Sequence, residues 1–110
     1  MIKIAMLDRD GIINKDRGYV GYRKDFIWVP GAKKAIKYLK NKGYKVIIVS
    51  NQSGVARKYF SYMDVVRLHK QVQKELIKYG TFIDRFYFSP YHKKGIIKKY
   101  KIDHETRKPK

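Results

Sequence analysis

Two aspartates at the end of an apolar segment are the residues best suited to chemistry in this sequence. Asp8 and Asp10 follow the apolar run from Ile2 to Leu7, and Gly11 comes directly after them. In extended backbone, side chains two positions apart project on the same side of the chain. The two carboxylates could therefore share a divalent cation, or divide the roles of nucleophile and acid. The alternative is a polar Asp-x-Asp-Gly turn that ends a strand and has no chemical role.

The segments that position these aspartates predict a parallel α/β sheet. Strands are predicted where Val, Ile and other apolar residues run together, and helices where apolar residues recur at helical spacing between lysines. Strand, helix and strand in succession form a βαβ unit, whose two strands are parallel. The predicted elements are strands over 2–7, 44–49 and 82–88 and helices over 32–42 and 61–79.

The boundaries of these elements carry recognisable signals. Ser61 can cap the longer helix, whose apolar face is predicted to consist of Val65, Leu68, Val72 and Leu76, and Gly80 can close it. Residues 14–22 are polar and rich in glycine, which predicts a loop folded over the end of the first strand. The apolar patch over 26–29 is predicted to anchor the return of this loop to the core.

Parallel pairing brings the ends of the first two strands to the same edge of the sheet, so Ser50 is expected close to Asp8 and Asp10. Ser50 opens the sequence Ser50-Asn51-Gln52-Ser53-Gly54. Hydroxyls, amides and backbone N–H groups at a strand end are donors that hold phosphate oxygens. The alternative is an ordinary polar turn between a strand and a helix.

Three cationic side chains could bind phosphate, whereas the histidines show no clear functional pattern. Arg57, Arg107 and Lys108 could return to the same edge and bind a phosphate, but any one of them alone is more typical of a solvated surface. We assign no role to the three histidines. They are His69 within the longer helix, and His92 and His104 beyond the third strand.

Length and composition set the outer limits. The 110 residues suffice for one core, so we predict a single domain over 1–110. Cysteine is absent, which excludes disulfides and thiolate metal sites. No signal or membrane-spanning stretch is seen, so we expect a cytoplasmic protein with no membrane partner. The net charge of +18 suggests nucleic acid, but the lysines are dispersed and no nucleic-acid motif occurs, so we do not expect such a partner.

Taken together and in order, the motifs resemble those of the haloacid dehalogenase-like (HAD-like) phosphatases. Within them, the resemblance is to the group of the D-glycero-D-manno-heptose 1,7-bisphosphate phosphatases and histidinol-phosphatases. The resemblance spans essentially the whole chain, and it implies a Rossmann-like parallel sheet with helices on both faces. The motifs that carry it are Asp8–Gly11, Asp16–Val20, Pro30–Ala32, Ser50–Arg57 and Arg107–Pro109.

The resemblance also implies roles for individual residues. Asp8 would be the nucleophile that forms an aspartyl-phosphate and would also bind Mg²⁺. Asp10 would act as acid and base, and its backbone carbonyl would complete part of the metal site. Ser50 would bind the phosphoryl group and Lys108 would neutralise it. The substrate pocket would be lined by Asp16, Arg17, Gly18, Tyr19, Asn51, Gln52, Ser53, Arg57 and Arg107.

The sequence departs from the family pattern in three places. Ile12 replaces a residue that is usually threonine. The positions of a structural zinc loop hold Ser89-Pro90-Tyr91 and His104-Glu105-Thr106, so we expect no zinc. The family continues into a further helix, a strand and a fourth acidic motif. We therefore expect a shortened member, truncated after the third βα unit, with an unpaired edge at the first strand.

Three hypotheses for function follow. The first is a Mg²⁺-dependent phosphomonoester hydrolase acting on a small phosphorylated sugar, with heptose 1,7-bisphosphate as the expected substrate. The second is an inactive remnant that binds phosphate compounds or associates with another chain through its open sheet edge. The third, which we favour least, is a basic nucleic-acid-binding module.

Overall fold

The computed structural model describes residues 2–51 and 59–89, which form a three-stranded parallel sheet and two α-helices. A short 3₁₀ helix, Arg23–Asp25, lies in the long loop after the first strand. In chain order the elements are β1 (Lys3–Asp8), α1 (Ala32–Asn41), β2 (Tyr44–Asn51), α2 (Tyr62–Tyr79) and β3 (Arg85–Ser89). None of the helices in these segments is long and apolar enough to cross a bilayer.

The strand order is β1-β2-β3, and both neighbouring pairs are parallel, which confirms the predicted α/β class. Both described helices contribute to one core against the same face of the sheet, with Ile36 from α1 and Leu68 from α2 packed with Ile48. Since crossovers between parallel strands are right-handed in nearly all proteins, two crossovers that advance in the same direction are expected to place both helices on one face. In the described segments, β2 is the only strand partner of β1.

The opposite face of the sheet is apolar and open in the part of the chain that the structure describes. Because side chains alternate along a strand, Ile4 and Met6 of β1 and Tyr87 of β3 point away from the helices. Their exposed fractions are 53%, 67% and 42%. Three large apolar side chains on one sheet face therefore lack cover from the described residues.

The loop between β1 and α1 folds over the sheet, as its composition predicts. Ile13, Val20 and Phe26 are almost fully buried and belong to the main core. The ring of Trp28 makes an edge contact with that of Phe26, at 5.2 Å between centroids. Gly21 packs so closely on the ring of Phe60 that a Cβ there would lie 2.2 Å from it. The predicted anchoring of the loop by the 26–29 patch is confirmed.

The two ends of α2 carry the predicted signals. The Ser61 hydroxyl accepts a hydrogen bond from the Asp64 backbone N–H, and the Asp64 carboxylate accepts one from the Ser61 N–H, a capping box. Gly80 closes the helix in a left-handed conformation.

β3 begins at Arg85, later than predicted, because both backbone groups of Ile83 bond to the side chain of Gln73 in α2 instead of to a strand.

Candidate active site

The two aspartates lie where β1 ends. Asp8 is the last residue of the strand and is paired with Val49 of β2, while the Arg9 N–H donates to the Val49 carbonyl at 3.1 Å. The chain then turns sharply, because the N–H groups of Ile13 and Asn14 both bond to the Arg9 carbonyl. Asp10 therefore sits in a tight turn directly above the sheet edge.

The carboxylate of Asp10 is held by donors on both oxygens. Its Oδ1 accepts hydrogen bonds from Arg9 Nη2 at 2.8 Å and from Asn14 Nδ2 at 2.9 Å. Its Oδ2 accepts a long hydrogen bond from Ser50 Oγ at 3.4 Å. The parallel register thus brings Ser50 to the turn that follows β1, and the contacts fix the direction of the Asp10 carboxylate.

Arg9 separates the two aspartates in sequence but points into the protein. Its side chain is 1% exposed. Besides Asp10, it donates to the Val20 carbonyl at 2.6 Å and contacts His69 Nε2 at 3.2 Å. Burial lowers the pKa of the Arg9 guanidinium, and the nearby Asp10 carboxylate opposes that shift. Because an arginine stays protonated in proteins, a fixed positive charge lies beneath the site.

The predicted pocket residues of the first loop lie on the surface near this turn. The Asp16 carboxylate accepts a hydrogen bond from the Gly18 N–H at 3.2 Å, and Gly18 has a positive φ of 90°. The ring of Tyr19 lies 4.6 Å from that of Tyr59, between centroids. Asp16, Arg17, Gly18 and Tyr19 are all exposed. These four residues are therefore accessible from solvent.

The remaining predicted site residues lie outside the described residues. This holds for Gln52, Ser53, Arg57, Arg107 and Lys108, and of Asn51 only the backbone is described. The positions of the structural zinc loop, for which we expect no zinc, are also outside the described residues, apart from the backbone of Ser89. His92 and His104 are outside them as well.

Sequence reasoning missed the contribution of three residues beneath the site. The sequence motifs indicate no role for Arg9, Asn14 or His69, although hydrogen bonds connect all three with Asp10 directly or through Arg9. A signal existed for His69, which lies four positions after Val65 and three before Val72 on the buried face of α2. Arg9 had a similar signal, since alternation along the strand directs it away from the side to which both aspartates project.

The donor set at this edge suits a hard divalent cation. Within residues 2–51 and 59–89, no group of three or more His, Asp or Glu side chains is close enough to hold a metal ion. Mg²⁺, however, is usually bound by one or two carboxylates and completes its shell with water and phosphate oxygens. Asp8 and the Asp10 turn supply oxygen ligands of this kind, so the residues present fit Mg²⁺.

Comparison with known proteins relates this fold and site to phosphatases. D-glycero-beta-D-manno-heptose-1,7-bisphosphate 7-phosphatase of Rhodopseudomonas palustris is 47% identical over 105 residues, which are 96% of this chain and 58% of that protein. The protein of the same name in Haemophilus ducreyi is 40% identical over 109 residues, 98% of this chain and 59% of that protein. The chain thus spans less than two thirds of these relatives.

A solved structure and a family profile agree with this relationship. The D,D-heptose 1.7-bisphosphate phosphatase from B. bronchiseptica, complexed with magnesium and phosphate, superposes with a TM-score of 0.78 at 30% identity. The match covers 83% of this chain and 51% of that chain. The profile described as "Polynucleotide kinase 3 phosphatase" matches residues 3–110. The resemblance to HAD-like phosphatases is therefore confirmed, and the chain belongs to the polynucleotide kinase 3 phosphatase family.

Proposed function

We propose that this chain carries the catalytic edge of a Mg²⁺-dependent phosphomonoester hydrolase that acts on a sugar phosphate. D-glycero-D-manno-heptose 1,7-bisphosphate is the proposed substrate, because the relatives are named for it. The observation that carries the proposal is the hydrogen bond from Ser50 to Asp10, which lies two residues beyond Asp8, the last residue of β1. Phosphoryl transfer needs little more than an in-line nucleophile, a positioned acid and fixed charges around the phosphate.

In the proposed reaction, an oxygen of the Asp8 carboxylate attacks phosphorus, and the bond from phosphorus to the sugar oxygen breaks. Asp10 gives its proton to the departing sugar oxygen. Water then attacks the aspartyl-phosphate, Asp10 takes the proton from that water, and Asp8 is released with inorganic phosphate. Because two donors already occupy Oδ1 of Asp10, we assign the proton transfer to Oδ2, the oxygen on the side of Ser50.

The other groups bind and orient the substrate. The Asp8 carboxylate and the Asp10 backbone carbonyl would hold Mg²⁺, which supplies positive charge for the phosphoryl oxygens when bound. Ser50 would donate a hydrogen bond to the phosphoryl group, and Lys108 would neutralise it. We propose that the exposed segment 16–19, together with Asn51, Gln52, Ser53, Arg57 and Arg107, selects the sugar.

Asp8→Asn tests the proposal, because it removes the nucleophile with almost no change of volume. Phosphate release from a panel of sugar phosphates would be measured with and without Mg²⁺. Asp25→Asn makes the same chemical change in the 3₁₀ helix of the loop, and so serves as the matched control. We expect metal-dependent release by the wild type and the control, and none by Asp8→Asn. Equal release by all three chains, or none by the folded wild type, would refute the proposed activity.

A second candidate function is favoured by the open face of the sheet. Exposed Ile4 and Met6 lie on β1, an edge strand of the described sheet, and exposed Tyr87 of β3 lies on the same face. We propose, as the alternative, an inactive chain that associates with a second copy through this edge and face. Concentration-dependent dimers in sedimentation, lost in Met6→Lys, together with no turnover, would support it. A cytoplasmic single domain over 1–110 remains our prediction under either proposal.

A further inference from the structure

A buried histidine and a buried arginine connect α2 to the proposed catalytic turn. Arg9 Nη1 contacts His69 Nε2 at 3.2 Å, although the two residues are 60 positions apart in sequence. The other terminal nitrogen of Arg9 bonds to both Asp10 and the Val20 carbonyl. A single guanidinium thus joins the helix, the carboxylate and the loop that carries the proposed substrate residues.

The contact between Arg9 and His69 determines the protonation of the histidine ring. A guanidinium has only donors, so Nε2 of His69 must accept, and the ring must be neutral with its proton on Nδ1. His69 is 5% exposed, and desolvation, with the charge of Arg9, lowers its pKa to about 3. The ring therefore stays an acceptor throughout the physiological pH range.

Packing fixes the plane of the same ring. His69 is stacked on Phe86 of β3, with centroids 4.5 Å apart and an angle of 16° between the rings. Phe88 makes an edge contact with it, at 5.5 Å between centroids. Nε2 is thus presented to Arg9 by a ring that two strand residues hold in place.

Without this acceptor, the guanidinium would be less well fixed. Nη1 would become a buried donor with one partner fewer, and Arg9 Nε already has no hydrogen-bond partner among the described residues. The guanidinium could then rotate or shift towards other acceptors. Arg9 Nη2 donates to Oδ1 of Asp10 and to the Val20 carbonyl. Movement of the guanidinium would therefore leave the positions of both acceptors less well fixed.

We propose that His69 is a positioning residue, which orients Asp10 and the Val20 segment through Arg9. The kinetic part of this inference rests on the proposed function, because Asp10 transfers the proton only if the chain is a phosphatase. The structural part does not. Loss of an orienting residue of this kind typically costs about tenfold to a hundredfold in activity.

Two variants separate the acceptor from the packing. His69→Phe keeps a flat ring against Phe86 but cannot accept from Arg9, whereas His69→Gln restores an acceptor without the ring. Leu76→Val is the matched control, since it removes a buried methylene group from the same helix and leaves His69 and its two neighbouring rings unchanged. We expect kcat to fall about tenfold or more in His69→Phe, and to recover in His69→Gln. Leu76→Val is expected to lower stability and to retain kcat.

NMR gives a readout that does not depend on activity. Ring-nitrogen signals of the unaltered, isotope-labelled chain should show His69 as the Nδ1–H tautomer at neutral pH. The side-chain amide of Asn14 donates to the same Asp10 oxygen, so its signals report the orientation of that carboxylate. They should move in His69→Phe and return towards their wild-type positions in His69→Gln.

The outcomes distinguish this inference from the proposed function. A proton on Nε2 of His69, or unchanged Asn14 signals in His69→Phe, would overturn the positioning role. So would an unchanged kcat in His69→Phe when the wild type is active. If the wild type releases no phosphate, the proposed function fails, while the tautomer and the Asn14 signals still decide the positioning. The tautomer is measured on the unaltered chain, so it does not require any variant to fold.

Discussion

Removing the carboxylate of Glu75 is expected to weaken the attachment of the first loop to α2. Glu75 accepts hydrogen bonds from Arg23 Nε at 2.5 Å, from Arg23 Nη2 at 2.9 Å and from Trp28 Nε1 at 3.0 Å. Both donors belong to the part of the loop that returns to α1. This single helix residue therefore bonds to two residues in the returning half of the loop, and the proposed substrate segment 16–19 lies in the first half.

The size of the effect follows from the exposure of these groups. The side chains of Arg23 and Glu75 are 37% and 28% exposed, so the ion pair itself contributes at most about 1 kcal/mol. The hydrogen bond from Trp28 to a charged acceptor adds about 1–2 kcal/mol. We therefore expect Glu75→Ala to lower the free energy of unfolding by roughly 2 kcal/mol. Glu75→Gln keeps a carbonyl acceptor and should cost about half as much.

Urea denaturation at neutral pH measures this difference. Lys74→Gln, which changes a charge on the exposed face of the same turn, is the matched control and should leave the midpoint unchanged. A loss of stability in Glu75→Ala no larger than in the control would refute the argument. It would mean that solvent replaces all three hydrogen bonds without cost.

The same pair makes a prediction for acid. The hydrogen bond from Arg23 holds the pKa of Glu75 below its ordinary value of 4.5. A carboxylate with a lowered folded-state pKa contributes stability above the unfolded value, and that contribution is lost as the pH falls through the folded value. The stability difference between wild type and Glu75→Gln should therefore shrink when the pH is taken below 4.5. An equal difference in acid would contradict this linkage.

Two further substitutions test the packing and the boundaries of the same region. Gly21→Ala would place a Cβ 2.2 Å from the buried ring of Phe60, so we expect a loss of about 1–3 kcal/mol, measured as a lower thermal midpoint. An unchanged midpoint would show that the ring can move aside freely. Ser61→Ala removes the cap that bonds to the Asp64 N–H and should cost about 1 kcal/mol, with the loss of helix signal at lower denaturant as the readout. If Ser61→Gly proves as damaging as Ser61→Ala, the cap argument is wrong.

The sequence predicts those parts of the fold that local signals determine. The capping box at Ser61 and the apolar face of α2 are visible as patterns within one turn or a few turns. Parallel pairing then places Ser50 near Asp10, because the two strands of a βαβ unit end at the same edge. The start of β3 was placed too early, because a long-range contact, from Gln73 to the backbone of Ile83, replaces strand pairing there.

The environment of Arg9 could not be predicted in the same way. An arginine between two aspartates is ordinarily expected on the surface, where its charge is solvated. In the structure it is buried, and its charge is offset by Asp10 and by the Val20 carbonyl. Val20 lies 11 positions from Arg9 and His69 lies 60 positions from it, and no local pattern in the sequence connects either residue with Arg9.

The spacing of the two aspartates connects the proposed active site with the packing beneath it. If Asp8 and Asp10 project towards the substrate, strand alternation sends the residue between them towards the core. The side chain of that residue must then pack against the buried face of α2 and find hydrogen-bond partners for its polar atoms there. Arg9 does so only because α2 offers a neutral histidine at this place and the loop offers the Val20 carbonyl. A smaller apolar residue at position 9 would remove the need for His69, but it would also leave Oδ1 of Asp10 with Asn14 as the remaining one of its two described donors. The identity of the residue between the two acids and the composition of the α2 face are therefore expected to change together.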